Sequence, residues 1–315
     1  MIDFISATTT FDCKGTIFFQ NMTLKGTFTS GWEFYSVDGC EQLTVRLHRQ
    51  YGILQLKGSI PYYWKGNNFT FTRNDFGDAI NYLCDLLNIN LWQAQLNAFE
   101  YGVIMEVQMR PREYIKHHAA SNGLLLNERE RDKGNYRNWE DKNVKLKMYD
   151  AGRNIKMKQG ENRKDIIRNA GWNDDGEYLK WEAHYLKPEH LNRGVALHLY
   201  DLMNDDWNNT FKEDLYLQYK RLIPMRHLTP PSSKKDLSTI DIMVHAFAEQ
   251  GINDGLTLDE VKKMLYARIN AEPLLAKSDK DLRKRSIKKA LDKIMVSPQS
   301  KWDLSSQIQD TLENC

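Results

Sequence analysis

Three side chains on two short stretches offer the clearest prospect of metal chemistry. Glu182 and His184 stand two apart in Tyr178–Tyr185 (YLKWEAHY), a stretch that alternates in polarity as a strand does. Successive side chains of a strand point to opposite faces, so Glu182 and His184 share one face while Trp181 and Ala183 take the other. A carboxylate and an imidazole together suit a divalent ion such as Mg or Mn. Glu100 lies in a second strand-like stretch beside Gly102, whose missing side chain would let a substrate backbone come close. A strand whose polar face merely meets solvent would carry the same pattern.

The nucleophile candidates are tyrosines. Tyr136 sits in a polar, basic segment, Lys133–Asn138 (KGNYRN), and Tyr149 ends a predicted strand just before Asp150 and Gly152. A phenol with a pKa of about 10 attacks poorly unless a cation or base assists it. Arg137, Lys145 and Lys147 are close enough in sequence to assist. The chain has 15 tyrosines, so position alone singles out neither one. Other routes lack their residues. There is no phosphate-binding Gly-x-x-x-x-Gly-Lys-Ser/Thr loop, no Gly-x-Ser-x-Gly and no His-Glu-x-x-His. His117 and His118 are adjacent on a helix-like stretch and so diverge, and no two of the eight histidines flank a single residue.

The elements that must position these residues read as a sheet with helices. Gly15–Gln20, Trp32–Val37, Leu43–His48 and Gly52–Lys57 are β-branched or aromatic, partly alternating, and separated by turn residues. Asp75 is the expected cap of a helix running to about residue 88, with Phe76, Ala79, Ile80, Leu83 and Leu87 at helical spacing. Phe99–Val107 and Val144–Tyr149 return to strand character, the second with its lysines turned away from Val144, Leu146 and Met148. Helices are expected over 189–204 and 207–222. Leu228–Asp236 (LTPPSSKKD) reads as a stiff linker, because two prolines cannot continue a helix. Beyond it the periodicity predicts helices over Ser238–Gln250, Thr257–Ile269 and Asp279–Met295, the second opened by a Thr257/Glu260 capping box. The expected fold is α+β: an antiparallel-sheet domain over 1–227, a linker over 228–236 and a helical, winged-helix-like domain over 237–315.

Composition narrows the class. The 315 residues are 41% hydrophobic and 27% charged, enough for a real core. No run approaches the roughly 20 apolar residues that span a bilayer, and the first residues, MIDFIS, lack a basic leader. Four scattered cysteines without a C-x-x-C pair predict a reducing, cytoplasmic setting rather than a disulfide framework or zinc site. Net charge is only +2, yet Arg110–Arg168 holds 16 Lys/Arg against 9 Asp/Glu, and Lys277–Lys293 holds 8 against 3. Such local basicity fits a nucleic-acid partner, although a solvated helix face shows it too.

Five segments in order carry a family resemblance. Gly58–Phe69 (GSIPYYWKGNNF) with Asp75-Phe76, Phe99–Val103 (FEYGV), Lys147–Gly152 (KMYDAG), Leu179–Ala183 (LKWEA) and Leu199–Leu202 (LYDL) span about residues 50 to 210. Together they resemble the replication initiators of filamentous phages, rolling-circle plasmids and related mobile elements of Bacteroidetes. Ala151 and Lys180 stand where that family usually has lysine and arginine, and Tyr136 lacks the glycine that usually follows. The resemblance implies an initiator-type nuclease fold, with Glu100, Glu182 and His184 around one Mg or Mn ion. It also implies Tyr136 as nucleophile, with Tyr149, thirteen residues later, as second choice. The implied reaction is site-specific nicking of one origin strand through a 5′-phosphotyrosine. Arg137, Lys145, Lys147, Arg153, Arg283, Lys284 and Arg285, all within the two basic stretches, are the expected DNA contacts, with helicase recruitment or dimer formation as the other roles open to the C-terminal module. Origin DNA is the expected partner, with a host helicase or a second copy of the chain beside it, and no membrane. Two rival expectations are a DNA-binding replication or regulatory protein that keeps the fold without catalysis, and an interaction protein without nucleic acid.

Overall fold

The computed structural model describes residues 1–12, 22–37, 40–127, 133–224, 228–229, 238–254, 256–296, 300 and 302–314. The expected strand Gly15–Gln20 and most of the expected linker 228–236 lie outside the described residues. The chain is α+β and divides into two compact units. The first comprises Met1–Lys116, Ser121–Leu222 and Ser305–Cys315; the second comprises His117–Ala120 and Ile223–Leu304. Residues 305–315 therefore belong with the sheet, not with the helical domain expected over 237–315.

The first unit is built on a ten-stranded sheet, antiparallel at every pairing. Its strands are β1 (Ile2–Thr10), β2 (Met22–Thr27), β3 (Trp32–Val37), β4 (Cys40–His48), β5 (Ile53–Ser59), β6 (Gln95–Val107), β8 (Leu125–Asn127), β9 (Tyr136–Glu140), β10 (Val144–Asp150) and β11 (Glu177–Tyr185). Two-residue strands β7 (Ala120–Ser121) and β12 (Leu222–Ile223) lie outside it. The order across the sheet is β2-β3-β4-β5-β1-β6-β11-β10-β9-β8. The N-terminal strand is thus central, between β5 and β6.

One sheet face packs the apolar partners of the expected polar residues. Phe99, Tyr101 and Phe211 cluster there, and Trp181 Nε1 donates to the Leu215 carbonyl of helix α6 (Asp205–Lys220) at 3.2 Å. The opposite face carries α4 (Ala151–Gln159) and α5 (Arg163–Asn169), closed over Ile104 and Tyr178 by Ala151, Ile155 and Ile167. The remaining helices of this unit are α1 (Ile60–Trp64), α2 (Arg73–Leu87), α3 (Pro111–Lys116) and α10 (Ser305–Glu313).

Two expectations are corrected. Helix α2 begins earlier than Asp75: Thr72 is the cap, and Asp75 is the third helical residue, its carboxylate accepting from the Thr72 amide at 2.9 Å. Positions 189–204 hold two short 3-10 turns, Pro188–Asn192 and Leu199–Met203, because Arg193 and Gly194 adopt positive φ and stop the first. The polar segment around Tyr136, to which the sequence assigned no element, enters strand β9 at Tyr136.

The second unit holds α7 (Thr239–Asn253), α8 (Leu258–Ala271), α9 (Lys277–Leu291) and a two-stranded pair, β13 (Leu228–Thr229) with β14 (Met295–Val296). Val244, Ala248, Val261, Ala290 and Leu291 form its core. The expected Thr257/Glu260 capping box opens α8. No described helix is long and apolar enough to cross a membrane.

Candidate active site

Register places the chemistry-bearing residues in three rows on one sheet face. Cross-strand partners in an antiparallel sheet point the same way. The first row runs Glu140, Lys145, His184, Glu100 across β9, β10, β11 and β6. The second runs Asn138, Lys147, Glu182, Gly102, and the third Tyr136, Tyr149, Lys180, Ile104. Asp3, from β1 on the far side of β6, completes the group.

Asp3, Glu100 and Glu182 each place a carboxylate oxygen within 4.8 Å of the others. All three are buried, as is Lys180, which has no exposed surface. The charges interleave. Lys180 Nζ bonds Asp3 Oδ2 and lies 2.8 Å from Glu182 Oε2. Lys147 Nζ bonds Glu100 Oε1 and lies 3.0 Å from Glu182 Oε1. Ser59 Oγ donates to Asp3 Oδ1 at 2.7 Å, and Asn68 Nδ2 to Asp3 Oδ2 at 3.1 Å. His184 Nδ1 sits 2.6 Å from Glu100 Oε1, which places its proton on that nitrogen. His184 therefore orients Glu100 and is not one of the three clustered oxygen donors.

Electrostatics favour the charged forms of Asp3, Glu100, Lys147 and Lys180. Burial alone would raise the Asp3 carboxyl, but the Lys180 charge and the hydrogen bonds from Lys180, Ser59 and Asn68 hold it well below the usual carboxylate range. Glu100 is lowered in the same way: burial is outweighed by the His184 hydrogen bond and the Lys147 charge. Burial opposes the charge on Lys147 and Lys180, yet their carboxylate partners win and raise both.

The two tyrosines stand side by side, ring centroids 6.2 Å apart. Tyr149 donates to Glu182 Oε2 at 3.3 Å, and burial and that carboxylate push its phenol well above the usual value. Both tyrosines line a cavity of about 680 Å³ with Asp3, Glu100, Lys147 and Glu182 on one wall and Arg153, Asn154 and Lys158 of α4 on another. Burial also raises Tyr62, a further lining residue, to about 12, with Asp3 adding to the shift.

The remaining sequence candidates fall apart from one another. Arg137 does not face the site: it is buried on the opposite sheet face, where Nη1 donates to the Ile115 and Lys116 carbonyls at 2.9 and 3.0 Å. That corrects its expected DNA contact. Lys145 pairs with Glu140 at 3.2 Å, and Lys147 is committed to the carboxylates. Arg153 is exposed at the cavity, and Arg283 and Arg285 are exposed on α9. Gly102 lets β6 and β11 pair closely: a Cβ there would lie 2.5 Å from Glu182 Cβ and 2.7 Å from the Trp181 carbonyl. Sequence reasoning missed Asp3 and Lys180. The one mark each carries in the sequence is a charge between two apolar neighbours, Asp3 between Ile2 and Phe4, Lys180 between Leu179 and Trp181.

No protein-family model and no curated protein matches the chain. Among solved structures it is similar to a rolling circle replication initiator protein from Geobacillus stearothermophilus, at 9% identity and a TM-score of 0.40, covering 74% of this chain and 88% of that one. That likeness is too distant to transfer the role of any residue.

Proposed function

We propose that the chain is a rolling-circle replication initiator that nicks one strand of an origin by tyrosine attack, with a divalent ion bound at Asp3, Glu100 and Glu182. The observation that carries this reading is the shared cavity: three carboxylates within 4.8 Å of one another open onto the same space as Tyr136 and Tyr149. The ordered motif resemblance over residues 50 to 210 supports it. An all-carboxylate donor set suits Mg or Mn. When bound, such an ion would polarise the scissile phosphate and offset the charge that develops there.

The residues divide the remaining work. Arg153 and Lys158 give the cavity a basic wall for the phosphate backbone. Tyr136 is the preferred nucleophile on the motif resemblance, thirteen residues before Tyr149, and the Tyr149 hydroxyl, which donates to Glu182, is the second candidate. The Tyr136 oxygen bonds to phosphorus as the bond from phosphorus to the 3′ oxygen breaks. The phenolic proton passes to solvent or a carboxylate, and the departing 3′ oxygen takes up a proton. The product is a 5′-phosphotyrosine and a free 3′-OH that a polymerase can extend. Arg283, Lys284 and Arg285 on α9 would hold flanking duplex.

A second reading has its own support. Lys147 and Lys180 already offset two of the three carboxylate charges, as they would in a DNA-binding protein that keeps the fold without cutting. The deciding experiment is nicking of a supercoiled plasmid that carries the encoding element's origin, in Mn²⁺ with and without EDTA, resolved on denaturing gels. An EDTA-sensitive nick with a protein adduct, lost in Tyr136→Phe and kept in Tyr149→Phe, is the expected result. Salt-sensitive origin binding without any nick would give the second reading its place.

A further inference from the structure

Lys147 and Asn138 are directly opposite one another on β10 and β9, and Glu182 flanks Lys147 on the other side in the same row. Asn138 has no exposed surface, and neither its Oδ1 nor its Nδ2 has a hydrogen-bond partner among the described residues. A buried amide left in that condition is costly unless some state of the protein satisfies it. Lys147 meanwhile occupies one oxygen of Glu100 and one of Glu182, two of the three carboxylates that would hold the ion.

We propose that Lys147 is a displaceable counter-ion: a divalent cation takes its place between Glu100 and Glu182, and its ammonium swings across the row to the Oδ1 of Asn138. This rests on the reading of Asp3, Glu100 and Glu182 as a cation site. The two lysines are not equivalent. Lys180 has no exposed surface and does not line the cavity, so it stays as the fixed partner of Asp3 and Glu182. The Lys147 side chain is 16% exposed and lines the cavity, and its four-carbon stem can turn about a cross-strand neighbour. Charge supports the exchange. Three carboxylates against two ammoniums leave one negative charge in the group. Adding a divalent ion while both lysines stay would leave one excess positive charge among the carboxylates; moving the Lys147 ammonium to Asn138 restores the balance between the carboxylates and the cations they hold. The metal-free protein thus carries its own substitute cation, and Asn138 stores the ammonium while the ion is bound.

The test is Mn²⁺ binding without DNA, followed by the electron paramagnetic resonance of free Mn²⁺. Lys147→Met removes the competitor and is expected to bind Mn²⁺ about tenfold tighter or more, the scale of one unit charge near a partly buried site. Lys147→Arg keeps a cation and gains no such affinity. Asn138→Leu removes the receiving amide, so it weakens Mn²⁺ binding when Lys147 is present and has no effect in the Lys147→Met background. If Lys147→Met does not fold, Lys147→Gln takes its place in the same comparison. Mn²⁺ binding that Lys147→Met leaves unchanged or weakens overturns the exchange alone. An Asn138→Leu effect that is equal in both backgrounds overturns the role of Asn138. Absence of Mn²⁺ binding from every variant overturns the cation site and this inference together, whereas tighter binding by Lys147→Met in a protein that never nicks leaves the exchange standing and removes the nuclease reading.

Discussion

Lys180 shows how a single residue can hold a site and threaten it. An ammonium without exposed surface is tolerable only while its carboxylates are in place. Lys180→Met leaves Asp3 and Glu182 facing each other without that charge. Breaking one side of a buried pair costs roughly 3–5 kcal/mol, so urea unfolding at neutral pH is expected to show a loss of that order. Asp3 gives the pH dependence. Its folded pKa is depressed, so its contribution is present above the unfolded value of about 3.9 and is lost as pH falls through the folded value. Stability should therefore decline as the solution is acidified below about pH 5, and Asp3→Asn should flatten that decline while lowering stability at pH 7. A decline equally steep in Asp3→Asn would assign it to other carboxylates.

At the scale of elements, the site depends on how closely β6 and β11 approach. Gly102 faces Glu182 across that pair, and the space a Cβ needs is filled by the Glu182 side chain and the Trp181 carbonyl. Gly102→Ala must push the strands apart, at a cost of about 1–3 kcal/mol typical of overpacking. Thermal unfolding should register that loss, and Mn²⁺ affinity should fall with it because Glu100 and Glu182 separate. Much of this was legible in the sequence. The alternation in Tyr178–Tyr185 and Val144–Tyr149 gave strands, and Glu100, Glu182 and His184 do meet on one face. Alternation tells which face a side chain takes, but not which strand lies beside it. The sequence could therefore not show that the first strand sits in the middle of the sheet, and Asp3 was missed for that reason. Nor could it show that Arg137, one residue from Tyr136, turns to the far side and ends on two backbone carbonyls. In β9 the polar residues face a buried network instead of water, so the hydrophobic pattern that marks a strand was absent there.

Across the whole molecule, the chain leaves the sheet unit, builds a helical unit and comes back. Helix α10 buries Ile308 and Leu312 against the sheet unit, and Lys220 Nζ donates to Ser305 Oγ at 2.9 Å. Removing Ser305–Cys315 exposes the surface these two side chains cover and is expected to cost the sheet unit roughly 3 kcal/mol or more, at 1.5–3 kcal/mol for each buried aliphatic side chain. A truncation placed at the apparent linker therefore confuses two effects, weaker DNA binding and an unfolded sheet unit without α10. The role of the helical unit is better read by charge. Arg283 and Arg285 are exposed on α9, and Lys284 beside them lies over the Tyr266 ring at 5.9 Å. None of the three belongs to the core of that unit, so replacing all three with Ala should leave its unfolding nearly unchanged. If α9 lies along duplex DNA, each phosphate that is no longer neutralised lowers the slope of log affinity against log salt by about 0.9. The triple variant should then bind origin duplex more weakly at low salt and with a slope shallower by roughly 2 to 3. Because phosphate contacts carry no sequence information, random duplex should lose affinity in parallel. A slope that does not change would take α9 off the DNA and leave the basic wall at Arg153 and Lys158 as the electrostatic contact of the sheet unit.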